Sequence, residues 1–317
     1  MNKRIIKFLL TLLLFPLELK AESADALIPF LSQQPVLDGR IADDIAWKDI
    51  APLGPFYLLK NGEKAVPQTA VRVGVWGDSL YFGVVAIEPE VAKIKAKLND
   101  TEDLWTEDSI EVFILPKGSK DYCQFVVNAA GKRFNGRNAG DVFPLWDWEA
   151  KTYKDRDCWS VEIRIPFLLF NAIPSGVWRG NICRNRRISQ ESYSSWASQQ
   201  VSFHQSGKWG RLIFLPCDAS RPVSSDLVGI VKKELDSLPG RETEGVSKRM
   251  REKGKAAARE YFSCLDYLTL GDAYALLGEI WGFRQREKSE LEQLRRRTAE
   301  IKFLAFKRRF FKERWVK

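Results

Sequence analysis

Histidine and methionine are almost missing from this chain of 317 residues: His204 is the one imidazole, and Met1 and Met250 are the two thioethers. That leaves no material for a zinc site of several histidines or a bis-histidine haem, and one imidazole would have to serve any Ser-His-Asp triad. Cysteine is scarce too. There are five, an odd number with no Cys-x-x-Cys pair, so at least one stays free; buried apolar thiols fit them as well as bridges do, and a cysteine metal site has little support. After the N-terminus no stretch is apolar enough to span a bilayer, and there is no internal repeat or low-complexity tract. What the chain does have is flat apolar surface with polar edges, in 11 Trp, 8 Tyr and 19 Phe. With 45% hydrophobic and 29% charged residues the balance is that of a globular chain.

Lys3, Arg4 and Lys7 precede an apolar run, Phe8 to Leu17, and the small residue Ala21 follows. This is the order of a secretory signal peptide, expected over residues 1–21, and it predicts a secreted or periplasmic mature protein in which disulfides are permitted. Charge divides the remainder. Residues 218–317 carry 23 Lys and Arg against 16 Asp and Glu, whereas residues 22–217 carry 23 against 24. The basic character belongs to the C-terminal part.

Residues 22–217 read as β. Thr69–Trp76 alternates, Gly77-Asp78 supplies a turn, and Leu80–Ala86 resumes, which predicts a hairpin. Ser109–Leu115, Tyr122–Asn128, Trp159–Ile165, Arg179–Arg186 and Arg211–Leu215 are further strand candidates separated by Gly, Pro, Asn and Asp. So many strands without intervening helices predict an antiparallel β-sandwich. Residues 218–317 read as a helical region, with helices expected over Ser225–Leu238, Val246–Leu268, Gly271–Phe283 and from Arg284 toward Trp315; Leu291, Leu294, Ile301, Leu304 and Phe306 approximate one apolar stripe on the last.

Four segments of the β region belong together: Pro35-Val-Leu-Asp-Gly39 with Asp43, Asp44 and Trp47; Leu104-Trp105-Thr-Glu-Asp108-Ser-Ile-Glu111 running on to Tyr122–Gly131; Trp159-Ser-Val-Glu162-Ile-Arg-Ile-Pro166; and Trp178-Arg-Gly-Asn181-Ile-Cys-Arg184 with Ser195-Trp196 and Gly210–Phe214. In this order and spacing, residues 30–215 resemble the family 9 carbohydrate-binding modules and their wider family 9-like group. The resemblance implies a mainly β, jelly-roll-like sandwich that binds a glucan- or xylan-type saccharide between two tryptophans, with calcium as a possible structural ion. It also implies Trp105 as the first clamp tryptophan, Glu111 as an acidic partner of the sugar hydroxyls, Arg133 as the basic donor and Trp196 as the second aromatic face. The chemistry is direct: the axial C–H face of a pyranose is apolar and stacks on an indole, while its hydroxyls need donors and acceptors around the rim. Family members that bind sugar carry an amide three residues before the second tryptophan, where this chain has Tyr193.

Other residues divide between packing and function. Trp47, Trp76, Trp159 and Trp178 sit in core-like patterns; Trp146 and Trp148 could form an extra platform or cap the sandwich; His204 reads as a surface or rim histidine. Asp100, Glu102, Asp103 and Asp108 could hold a hard cation or simply face water. The expectation is a non-catalytic carbohydrate-binding protein associated with polysaccharide breakdown, with no catalytic residue and no certain cofactor. The alternatives are a glycoside hydrolase acting on O-glycosyl bonds through Asp108, Glu111 or Glu162, and a surface-interaction protein. Asp108 and Glu111 are three apart on one expected strand and so face opposite sides; Glu162 has a structural place in the resemblance. The basic aromatic tail, Lys302 to Lys317, could meet an anionic membrane or the cell envelope, while export argues against nucleic acid.

Overall fold

A computed structural model describes residues 24–138, 141–142, 148–170, 172–197, 201–216, 225–236, 268–284, 297–298, 300–302 and 304–305. The expected signal segment 1–21, Trp146, Cys217 and Cys264, the boundary at residue 218, all of the expected helix Val246–Leu268 except Leu268, and the tail from residue 306 lie outside the described residues.

In chain order the strands are β1 (Asp25–Ile28), β2 (Tyr57–Leu58), β3 (Thr69–Trp76), β4 (Ser79–Ile87), β5 (Ser109–Leu115), β6 (Cys123–Asn128), β7 (Arg133–Arg137), β8 (Asp141–Val142), β9 (Glu149–Lys154), β10 (Cys158–Pro166), β11 (Val177–Arg186), β12 (Ser192–Ser195) and β13 (Gly210–Phe214). Among the described residues these are followed by the helices α1 (Ser225–Asp236) and α2 (Leu270–Arg284) and by shorter helical pieces between residues 297 and 305. The strands form two sheets. The larger runs β1-β13-β11-β5-β6-β7-β8, with β12 pairing β11 and β2; the smaller runs β3-β4-β10-β9. Pairing is antiparallel throughout except between β1 and β13. This is a β-sandwich with helices C-terminal to it, as the alternation predicts.

The period of two sorts each strand into a core face and an outer face. Ile110, Val112 and Ile114 of β5 meet Cys123, Phe125 and Val127 of β6 and Ile182 of β11 in the main core, opposite Val71, Val73 and Val75 of β3 and Val161, Ile163 and Ile165 of β10. Trp159 and Trp178 are buried here as expected. So is Trp148, which stands edge-on to Phe125 and donates its Nε1–H to Asn135 Oδ1 at 2.9 Å, so it caps the core and offers no platform.

The smaller sheet has its outer face covered by residues 31–50, with Leu31, Ile41, Trp47 and Tyr81 packed together. Glu162 fixes that cover. Its fully buried carboxylate accepts from the backbone N–H groups of Asp38 and Gly39, at 3.0 and 2.9 Å, and from Trp47 Nε1 at 2.8 Å. Gly39 is required at this point: φ is +86°, and a Cβ would lie 2.6 Å from the backbone of Thr152.

The helices share the sandwich core. Leu227 and Val231 of α1 and Leu270, Ala273, Tyr274, Leu277, Ile280 and Trp281 of α2 belong to the same apolar cluster as the strands. Thr269 and Asp272 bond reciprocally, the Thr269 N–H reaching Asp272 Oδ2 at 3.0 Å and the Asp272 N–H reaching Thr269 Oγ1 at 3.3 Å, a capping box that starts α2. In the last helical stretch the expected stripe is rotated: Thr298, Lys302 and Ala305 are buried while Leu304 is exposed. The spacing i, i+4, i+7 survives, but Lys302 lies on the covered side, which takes it out of a membrane-facing surface. Among the described residues no helix is long and apolar enough to cross a membrane.

Candidate functional site

The outer face of the larger sheet carries the polar chemistry. Glu111 stands between Cys183 of β11 and Val126 of β6 in the register, so its side chain points away from the core. Its carboxylate accepts from Gln124 Nε2 at 2.6 Å and from Asn185 Nδ2 at 2.7 Å; the residue is 3% exposed. Burial pushes the Glu111 carboxyl up from its ordinary range, against the pull of the two amides and of Arg187. Beside it Phe113, Tyr122, Phe203 and Trp209 form an apolar cluster. His204 closes the rim of that cluster, as a rim histidine should: it is half-buried, its ring stands edge-on to Phe113, and its Nδ1 lies 2.8 Å from the Tyr122 hydroxyl. Burial pushes its pKa down.

The run Arg184-Asn-Arg-Arg187 shows how alternation makes this site. Arg184 and Arg186 turn to one side, where both guanidiniums bond the buried carboxylate of Glu88. Asn185 turns to the other and bonds Glu111; Arg187 follows it. The Arg187 guanidinium lies 4.5 Å from the Tyr193 ring centroid and 5.6 Å from that of Trp105. Its Nη2 donates to the Trp105 carbonyl and its Nη1 to Glu191, each at 3.2 Å. The Arg187 Nε–H is buried with no partner.

Trp105 is placed by a short 3-10 helix, Glu102–Thr106, capped by Thr101. Leu104 is fully buried, so the next residue must point outward, and Trp105 is 46% exposed. An indole left half in water keeps part of its flat apolar surface open to a ligand. Trp105, Arg187 and Tyr193 therefore form a shelf beside the buried Glu111–Asn185–Gln124 cluster.

The other two expected site residues are elsewhere. Trp196 is 4% exposed and belongs to the main core, with its six-membered ring against Gly210, where a Cβ would lie 2.5 Å away. Its indole presents no face to a ligand, and this corrects its expected place as the second aromatic face. Arg133 pairs with Val127, a core-facing residue, so it stands on the opposite side of the sheet from Glu111. Its guanidinium donates to the Trp148 carbonyl and lies 5.2 Å from the Trp148 ring. It braces Trp148 and the loop at Asp100, whose carboxylate accepts its backbone N–H at 2.7 Å. Arg187 and Tyr193, which the motifs did not single out as contacts, occupy the shelf instead. The signal for Arg187 was present as a basic run inside a region of nearly balanced charge.

The acidic loop does not assemble a hard-cation site. Asp108 spends its carboxylate on the backbone N–H groups of Lys95, at 2.8 Å, and Arg187, at 3.0 Å, and Asp100 is taken by Arg133. Among the described residues no group of three or more His, Cys, Asp or Glu is placed to hold a metal ion. Cys123, Cys158 and Cys183 are free thiols.

No protein-family model and no curated protein sequence matches the chain. Similarity appears among solved structures. A Bacteroides uniformis protein to which carbohydrate binding is ascribed aligns with 61% of this chain and 100% of its own, at 16% identity and TM-score 0.49. A family 9 carbohydrate-binding module from Caldicellulosiruptor kristjanssonii, in complex with cellotriose, aligns with 63% and 100%, at 16% identity and TM-score 0.45. A family 9 module from the same organism, in complex with glucose, aligns with 61% and 98%, at 16% identity and TM-score 0.46.

Proposed function

We propose that this protein binds carbohydrate without transforming it, at the shelf made by Trp105, Arg187 and Tyr193. The observation that carries the reading is the half-exposed Trp105 indole held beside a cation, Tyr193 and a buried carboxylate–amide cluster. An indole offers the flat apolar face that a pyranose C–H face requires, and the exposed Glu191 carboxylate, held by the buried Arg187, supplies an acceptor for a sugar hydroxyl at its edge. Stacking on an aromatic side chain is worth about 1–3 kcal/mol, by analogy with base stacking.

The saccharide we infer is a neutral glucan or xylan fragment, and the setting is an exported protein that accompanies polysaccharide breakdown, as the family 9 resemblance of the motifs implies. A binding reading also suits the placement of the acids: Glu162 is committed to the residue 38–47 cover, Asp108 to two backbone donors, and Glu111 to two amides. A panel of immobilised neutral glucans and xylans tests the proposal. The full chain should be retained on at least one of them, and Tyr193→Ala, shown by circular dichroism to be folded at the assay temperature, should elute earlier; failure of the wild type across the panel, or equal retention of the folded variant, overturns it.

A further inference from the structure

The cover over the smaller sheet is incomplete. Near the β3–β4 turn it leaves a cavity of about 330 Å³, lined in part by Gln34, Trp76, Asp78, Tyr81, Glu149 and Arg164. That volume is at the lower end of the range for small-molecule pockets. Trp76 is half-buried; from an outward position of β3 it packs on the Leu31, Ile41, Trp47 and Tyr81 cluster and forms part of the cavity wall.

The register builds the floor. Arg164 of β10 is the direct partner of Tyr81 on β4 and of Glu149 on β9, so the three side chains stand in one row across three strands. Arg164 is held from both ends, by Asp78 at 3.2 Å and Glu149 at 3.0 Å. The Tyr81 hydroxyl is within 3.5 Å of Gln34 Nε2, and burial pushes its pKa up, so it keeps its proton to donate. The turn is pinned from the far side. The Tyr274 hydroxyl of α2 donates to the Gly77 carbonyl, and the Phe167 N–H donates to the Asp78 carbonyl at 2.8 Å.

The lining thus interleaves donors (Tyr81, Arg164, the Gln34 amide) with acceptors (Asp78, Glu149) beside an indole. Hydroxyl groups, which donate and accept at once, match that mixture. Two carboxylates against one guanidinium leave the cavity with a net negative charge that opposes anions. We propose that this cavity is a second carbohydrate subsite, taking one neutral sugar ring on the face of the sandwich opposite the Trp105 shelf. It does not depend on the shelf being a sugar site.

The test uses the full chain carrying Trp105→Ala, which removes the shelf's platform. Glucose, xylose, cellobiose and glucuronate are titrated in turn while the indole N–H resonance of Trp76 is followed. At least one neutral sugar should shift that resonance saturably, glucuronate should bind more weakly, and Tyr81→Phe should weaken neutral-sugar binding about fivefold, the worth of one hydrogen bond. Gln34→Ala, on an exposed loop, should show a similar loss and serves where Tyr81→Phe disturbs the fold. No saturable shift with any neutral sugar, glucuronate binding as tightly as glucose, or binding unchanged in the folded variants overturns the proposal.

Discussion

At Glu111 burial opposes solvation by partners. Removal from water raises the carboxyl pKa, while the Asn185 and Gln124 amides and the Arg187 charge pull it down; burial wins. Between its ordinary value of 4.5 and its higher folded value, the native protein holds a proton that the unfolded chain has released. Stability from this group is therefore complete below pH 4.5 and is lost as pH rises through the folded pKa. Glu111→Gln removes that titration while keeping the shape, and either amide neighbour can turn over to offer its oxygen. Its unfolding midpoint relative to wild type should rise between about pH 4 and about pH 8. A gap that stays constant or narrows with pH contradicts the assignment. Single residues also explain what the motifs misplaced. Trp105 and Trp196 look alike as letters, but Leu104 takes the buried position next to one, and Gly210 makes room for the other in the core.

At the scale of elements, β3 and β5 were legible to the residue, because an apolar face alternating with a polar or small one has one physical reading. The strands that sequence missed are those with little to bury. β9, Glu149-Ala-Lys-Thr-Tyr-Lys154, is a polar edge strand paired on one side only, and β7 contains Asn135-Gly136, a pair that reads as a turn. Helix α2 was legible in extent, but not its burial on several sides, which depends on what packs around it. There Trp281 is buried and donates to the buried Glu234 of α1 at 3.0 Å. Trp281→Ala should cost about 3–5 kcal/mol, as other buried aromatic truncations do. Because α2 and the strands share one core, urea unfolding followed by circular dichroism and by fluorescence should shift as one transition. Loss of helical signal with the sandwich midpoint unmoved would mean that the helices are a separate unit.

Across the whole molecule, charge and chemistry are segregated. The net +9 arises from residues 1–21 and 218–317, so the sandwich is close to neutral and suited to an uncharged ligand. The described helices do not stand apart from that sandwich: α2 packs into its core and holds the Gly77 turn at one end of the smaller sheet. The larger sheet presents its polar face to the opposite side, with Trp105 as the most exposed of the described tryptophans. The central claim is that this indole is covered by a sugar when the protein works. Calorimetric titration of the full chain and of Trp105→Ala with cellotriose and xylotriose tests it most directly. The account predicts saturable binding by wild type to at least one trisaccharide and an affinity lower by about tenfold or more in a variant with the same unfolding midpoint; equal affinity in the two proteins, or no binding by wild type, would contradict it.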